Sequence, residues 1–303
     1  MRYPKEFWEK HCHLSGEDLG RALHIDGGSA RRMIREAKAT DLAQGWNLVW
    51  FDPKTPKINK TLTGIAVFDW HYPHHHERLT KNILSLTKDL DPDVFVRGGD
   101  NGDYEVISHW IGNKRGKVEG MRLLDDYKGH NETLLDPLNE ILKPECRKIE
   151  HDGNHELWVQ MYLDEHPELK GLLEIDQHLH LDGWERYEYG EISKVGKLHI
   201  THGEYINIHN ALKTVQVYGR NIIYGHGHTY QAHTVTTPIG AESHTGVQIP
   251  CACNLNPHYR RNRPNSWLNG FAVFYVYPDG DFNLYPVISV DGSFIAPNGV
   301  LYE

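Results

Sequence analysis

Pro92-Asp93-Val94-Phe95-Val96-Arg97-Gly98-Gly99-Asp100-Asn101-Gly102-Asp103 is the stretch on which the fold of this chain turns. Val94, Phe95 and Val96 form a short apolar run of the kind that makes a buried parallel strand. Gly98 and Gly99 then stop the strand and present Asp100 in a tight turn. Asp103 follows three residues later, so two carboxylates share one turn in which packing needs neither. Glycine and aspartate also serve plain surface turns through their backbone preferences. The weight therefore falls on what the rest of the chain sets beside Asp100.

Upstream, Ile65-Ala66-Val67-Phe68 is a second apolar run and ends in Asp69-Trp70-His71. A carboxylate and an imidazole two apart at a strand end point the same way and can chelate one divalent ion. His74-His75-His76 next door reads as a solvated loop, or as further lining of a site. Leu79, Ile83, Leu86 and Leu90 then recur at helical spacing, which completes a strand-helix-strand unit. Asp69 and Asp100 fall at the carboxyl ends of neighbouring parallel strands, where open α/β sheets place their sites.

Downstream, residues 104–143 read as mostly helical, interrupted by the basic loop Lys114-Arg115-Gly116-Lys117. A third short strand over residues 147–150 runs into Gly153-Asn154-His155-Glu156 and an amphipathic helix. Two more apolar strands end in His202-Gly203 and in Gly225-His226-Gly227-His228. In the last of these, two imidazoles again lie two apart, and Gly227 between them lets the backbone come close.

Asp69-x-His71, Gly99-Asp100-x-x-Asp103, Gly153-Asn154-His155-Glu156, His202-Gly203 and Gly225-His226-x-His228 resemble the five ordered motifs of the calcineurin-like metallophosphoesterases. The resemblance covers roughly residues 63–240. It implies an α/β fold, a four-layer sandwich of two mixed β-sheets flanked by helices, with two metals at the strand ends. One metal would be held by Asp69, His71, Asp100 and His228, and the other by Asp100, Asn154, His202 and His226. His155 would face the substrate, with Asp103 orienting it as a catalytic dyad. The chemistry implied is phosphoester hydrolysis by a hydroxide bridging two divalent ions, manganese first, with iron or zinc as alternatives. Asp100 would be the carboxylate that both ions share.

The serine/threonine phosphatases of that family carry Arg-Gly after the second aspartate of the second motif, where this chain has Tyr104-Glu105. The closer resemblance is to nucleic-acid-acting members of the repair-nuclease or bacteriophage-encoded kind, with DNA as the expected substrate. A phosphomonoesterase and a non-catalytic DNA-binding scaffold are the alternatives.

The ends of the chain supply the rest. Residues 1–45 read as a small helical domain resembling a helix-turn-helix, with Arg31, Arg32, Arg35 and Lys38 on its last helix as DNA contacts. A helical cap or dimerisation unit fits the same pattern. Spacing assigns Leu19, Ala22, Leu23, Ile25, Ala30, Met33, Ile34 and Ala37 to its core. Residues 46–62, with Lys54, Lys57 and Lys60 among prolines, form a linker to a domain over residues 63–303. Near the C-terminus, residues 271–277 and 282–288 flank Pro278-Asp279-Gly280-Asp281 as a hairpin. The preceding loop carries Tyr259, Arg260, Arg261, Arg263 and Trp267, a set suited to base stacking and phosphate pairing or simply to a surface loop. Lys114, Arg115 and Lys117 are offered for the same role.

A formal charge of -9 argues against indiscriminate coating of duplex DNA. The 22 histidines mean that position, not presence, must identify a ligand. The four cysteines form neither a disulfide framework nor a zinc-finger spacing, and Cys251 with Cys253 reads as packing. No apolar run reaches the roughly 20 residues of a membrane span, so a cytoplasmic protein is expected.

Overall fold

The computed structural model describes residues 3–12, 14, 16–25, 27–44, 60–108, 111–112, 115–237, 242–261 and 263–303. The lysine linker up to residue 59, Lys114 and the side chain of Arg31 lie outside them. The chain divides into two compact units, Met1–Asn59 and Lys60–Glu303.

The first unit contains α1 (Lys5–His11), α2 (Gly16–Leu23) and α3 (Gly27–Gln44). Trp8, Leu19, Ala30 and Ala37 are buried at its centre, with Phe7, Leu14, Leu23, Met33 and Ile34 against them. Ala22 and Ile25, which spacing assigns to this core, are exposed, and Trp8 with Phe7 of α1 supplies the apolar bulk instead. Arg32, Arg35 and Lys38 are exposed on α3. Their three-residue spacing places them along one helix face.

The second unit opens with β1 (Leu62–Val67), α4 (Glu77–Leu90) and β2 (Val94–Arg97). β1 and β2 are parallel, with Gly64 opposite Val94 and Val67 opposite Arg97. α4 buries Leu79, Ile83 and Leu86, each worth about 1.5–3 kcal/mol of hydrophobic burial. His76 caps α4, its Nδ1 accepting from the Leu79 N–H at 3.3 Å.

Among the described residues of 104–122 the helix that their apolar residues announce is absent. They hold two 3-10 turns, Glu105–Ile107 and Arg115–Lys117. Tyr104 at φ 48° and Gly112 and Gly120 at positive φ turn the backbone too sharply for a continuous helix. Helix resumes with α5 (Leu123–His130), a π-turn over Asn131–Leu135, and α6 (Asp136–Ile141).

Next come β3 (Arg147–His151), α7 (Asn154–Glu165), α8 (Ile175–His178), β4 (Trp184–Tyr187), β5 (Ser193–Val195) and β6 (Leu198–Ile200). They are followed by α9 (Asn210–Tyr218), β7 (Ile222–Tyr224), β8 (Gln231–Thr237), β9 (Glu242–Gln248), β10 (Asn269–Val276) and β11 (Phe282–Ser289). The short pair β12 (Phe294–Ile295) and β13 (Leu301–Tyr302) ends the chain.

The architecture is mixed α/β, with two large mixed sheets flanked by helices. One sheet has the order β11-β10-β1-β2-β3-β4, and the other β5-β6-β7-β9-β8. β1 to β4 are parallel, while β10 and β11 add an antiparallel edge. A bridge between Phe68 and Cys251 ties the chain leaving β9 to the end of β1. Ile65, Val67, Phe95, Phe271 and Val273 are fully buried in the principal core. Among the described residues no helix is long and apolar enough to cross a membrane.

Candidate metal centre

The loops that leave β1 and β2 run side by side. The Asp69 N–H donates to the Gly99 carbonyl at 3.0 Å, His71 N–H to Asp100 O at 2.9 Å, and Tyr72 N–H to Asn101 O at 2.9 Å. Asp69 and His71 face one way, but not by continuing the strand pleat. Both are left-handed, at φ 54° and 51°, and so are Asp100 (49°), His226 (67°) and His228 (56°). A left-handed residue with a Cβ costs roughly 1–2 kcal/mol, and such strain gathers at functional sites.

These side chains converge into two groups of potential metal donors. Asp69, His71 and His228 form one, and Asp100, His202 and His226 the other; within each group the donor atoms all lie within 4.8 Å of one another. In the first, His228 Nε2 is 3.3 Å from Asp69 Oδ1, and the Nε2 atoms of His71 and His228 face each other at 3.1 Å. In the second, His202 Nε2 is 3.2 Å from Asp100 Oδ2 and 3.3 Å from Asn154 Oδ1. Asp100 stands between the groups, since the same Oδ2 is 3.8 Å from His71 Nε2. Asp69, His71, Asp100, His202 and His228 are buried. All seven residues expected as ligands are thus brought together, with Asn154 at the start of α7.

Three of the four imidazoles are oriented from behind. His71 Nδ1 is 2.9 Å from Asp103 Oδ1, His202 Nδ1 is 3.0 Å from the Gly98 carbonyl, and His228 Nδ1 is 3.9 Å from the buried Cys253 thiol. Partners of this kind fix which nitrogen faces a metal. The thiol contact gives Cys253 a place in the site that its sequence context does not reveal.

Asp103 and His155 touch in a way that the sequence does not anticipate. His155 Nδ1 donates to the main-chain carbonyl of Asp103 at 2.8 Å, and the Asp103 carboxylate is farther, at 3.3 Å. That carboxylate is closer to His71. His155 Nε2 is left toward the cluster, 4.0 Å from Asp100 Oδ2, and Trp158 packs against the ring with centroids 3.8 Å apart.

Glu156 is a positioning residue that sequence reading passed over. Its Oε2 accepts from the N–H groups of Asp100 at 3.0 Å and Gly153 at 2.8 Å, and its Oε1 from those of Asn101 at 2.9 Å and Gly102 at 3.2 Å. One buried carboxylate thus holds the turn of Asp100 against the start of α7. Gly153 is required by the same closeness: a Cβ there would lie 2.3 Å from Asp100 N and 2.1 Å from its Oδ1. The signal was available in the Gly-x-x-Glu spacing, which places an acceptor at the third residue of a helix to satisfy free N–H groups.

The electrostatics are dominated by burial and mutual charge. Burial alone would lower His71, but the hydrogen bond to Asp103 and the charges of Asp100, Asp103 and Asp69 raise it to about 10. His202 is raised to about 9, burial being outweighed by Asp100. His226 is lowered to about 4 by burial and the charge of His202. Burial opposes ionisation of Asp100, yet His202 and His155 hold it well below the usual carboxylate range. Among the described residues, every ion pair of Asp69, Asp100 and Asp103 is with a histidine, with no lysine or arginine among the partners. Protons on imidazoles stand where cations can bind.

Around the rim, Trp267 packs on His228 with ring centroids 4.2 Å apart, and the Arg260 guanidinium lies 4.5 Å from the centre of the Trp267 ring. Tyr259 meets the edge of His74 at 5.6 Å. Arg261 and Arg263 are exposed on the same loop. Arg115 and Lys117 are exposed, and Arg115 lines a hollow with Trp158, whose ring packs on His155. His74 is not a solvated loop residue, because its Nε2 is 3.7 Å from Asp103 Oδ2.

No protein-family model matches the chain. It is 21% identical to the Gene 54 protein of Mycobacterium phage L5 over 254 residues, 79% of this chain and 98% of that protein. Among solved structures it is similar to Vps29 of Cryptosporidium parvum, with a TM-score of 0.41 and 13% identity over 78% of this chain and 95% of that one. A Vps29 mutant from Entamoeba histolytica gives a TM-score of 0.39 and 12% identity over 77% and 96% of the two chains. YfcE, described as a phosphoesterase from E. coli, gives 0.33 and 15% over 74% and 98%. Likenesses this distant leave function to be read from the residues.

Proposed function

We propose that the chain is a phosphoesterase dependent on two divalent metal ions, and that its substrate is a phosphodiester bond of DNA. The observation that carries the reading is Asp100 Oδ2, set 3.8 Å from His71 Nε2 on one side and 3.2 Å from His202 Nε2 on the other. One ion would be held by Asp69, His71, Asp100 and His228, the other by Asp100, Asn154, His202 and His226. The residues fit such ions. Among the described residues three buried carboxylates have imidazoles as their only ion-pair partners, and two Nε2 atoms meet head-on at 3.1 Å, an arrangement with one shared proton at most.

Two divalent ions, when bound, supply an activated water and neutralise phosphoryl oxygens. The chain's own groups do the rest. Asp103 holds His71 with Nε2 inward. Glu156 fixes the backbone that carries Asp100. His155, anchored through Nδ1, keeps Nε2 free to carry a proton toward a departing oxygen. General acid help of this kind is worth about 100- to 10,000-fold and matters most for a poor leaving group such as a sugar alkoxide.

The DNA reading is supported by the rim and by the first unit. Tyr259, Trp267 and Arg260 offer stacking faces and a cation beside His228, as single-strand binders do. Arg32, Arg35 and Lys38 form an exposed basic row on α3. The test is hydrolysis of bis-nitrophenyl phosphate, nitrophenyl phosphate, and single- and double-stranded DNA with added manganese. The proposal expects both diesters to be cleaved and the monoester to lag. Cleavage of the monoester alone would make the protein a phosphatase, and no manganese-dependent cleavage of any of them would end the proposal.

A further inference from the structure

Beyond the two groups around Asp100, a third set of donor atoms converges at the mouth of the site. His74 Nε2 and His258 Nε2 each lie 3.5 Å from the same oxygen, Glu105 Oε1, and the three donor atoms lie within 4.8 Å of one another. The residues come from three separate segments. His74 follows β1, Glu105 follows the left-handed turn at Tyr104, and His258 begins the 3-10 turn His258–Arg260 of the rim loop.

Two further observations point to a cation. Glu105 is only 9% exposed, and among the described residues its ion pairs are with imidazoles and not with lysine or arginine. A buried carboxylate demands a positive partner. Asp103 and Asp126 add negative charge nearby: burial, then Asp103, Glu105 and Asp125, push the Asp126 carboxyl up to about 6. In addition, His74 Nε2 is buried and makes no hydrogen bond, its carboxylate neighbours Glu105 and Asp103 standing at 3.5 and 3.7 Å, so a donor atom is aimed into the cluster.

We propose that His74, Glu105 and His258 form a third divalent-cation site, separate from the pair of sites that share Asp100. Two imidazoles and one carboxylate are the ligand set that zinc takes when it keeps a position open for water or another ligand. The side chain of His258 is 60% exposed, which leaves that position facing solvent. Asp103 connects the outer site to the inner ones, with Oδ1 2.9 Å from His71 Nδ1 and Oδ2 3.7 Å from His74 Nε2. The site does not depend on whether the paired centre hydrolyses a phosphoester.

The test is zinc stoichiometry of the full chain, by equilibrium dialysis against zinc and elemental analysis, in the wild type and in His258→Ala, whose exposed side chain can be removed without disturbing the core. Three ions in the wild type and two in the variant are expected, with a zinc-edge anomalous peak between His74, Glu105 and His258. Two ions in both proteins, or three in both, would overturn the site. One ion in the wild type, lost in His258→Ala, would keep the outer site and remove the paired centre instead.

Discussion

Glu156→Gln tests whether the site is held by one carboxylate. The side chain accepts four backbone N–H bonds, two on each oxygen, from Asp100, Asn101, Gly102 and Gly153. Glutamine keeps one acceptor and replaces the other with an NH2 that faces two N–H donors. Two hydrogen bonds to a charged group are lost, at about 1.5–3 kcal/mol each, and two buried donors are left unsatisfied. A destabilisation of about 3–6 kcal/mol follows. Because the freed donors include the N–H of Asp100 or that of its neighbour Asn101, metal affinity should fall as well, by the 10- to 100-fold typical of lost outer-shell contacts. Urea denaturation gives the first number and manganese titration the second. A variant within about 1 kcal/mol of the wild type that binds manganese normally would refute the reasoning.

Gly153→Ala should fold but lose manganese binding, measured by dialysis, because its Cβ would meet the Asp100 backbone nitrogen at 2.3 Å; unchanged binding would show that the turn can yield. Manganese at 100 times its Kd should stabilise the chain by about 2.7 kcal/mol per site, visible as a melting temperature higher by about 5 °C or more and abolished by chelator. Acid should destabilise the metal-free protein through His151, which burial and the charge of His202 lower to about 3. Its folded pKa lies below its unfolded value near 6.5, so its contribution is complete above pH 6.5 and is lost as pH falls from there to about 3. The loss is at most about 5 kcal/mol. His151→Gln should flatten the stability curve over that window, and an unaltered slope would dismiss this cause. His155→Ala should keep its metals and lose more activity on DNA than on bis-nitrophenyl phosphate; equal losses would remove the proton-carrying role of Nε2.

The parallel strands and the residues that could bind metal were legible because local chemistry announces them. Val94-Phe95-Val96 can only be buried, and glycine beside aspartate can only turn. What escaped notice depends on the fold. β8 is polar and largely exposed and is joined to β9 by hydroxyl pairs, Thr234 with Thr245 at 2.9 Å and Thr236 with Ser243 at 3.1 Å, so no apolar alternation marks the pair. Residues 104–122 carry helical spacing but lose the helix to left-handed Tyr104. Glu156 and Cys253 matter through residues far away in sequence. The Asp103 carboxylate favours His71 over His155, a choice that depends on distances of 2.9 Å and 3.3 Å and that no spacing encodes.

The central claim is that Asp100 is shared between two metal ions. Anomalous diffraction at the manganese edge from crystals grown with manganese tests it most directly. The account predicts one peak among Asp69, His71 and His228 and a second among Asn154, His202 and His226, each in contact with the Asp100 carboxylate, and loss of both in Asp100→Asn. A single peak, or ions that leave Asp100 untouched, would contradict it.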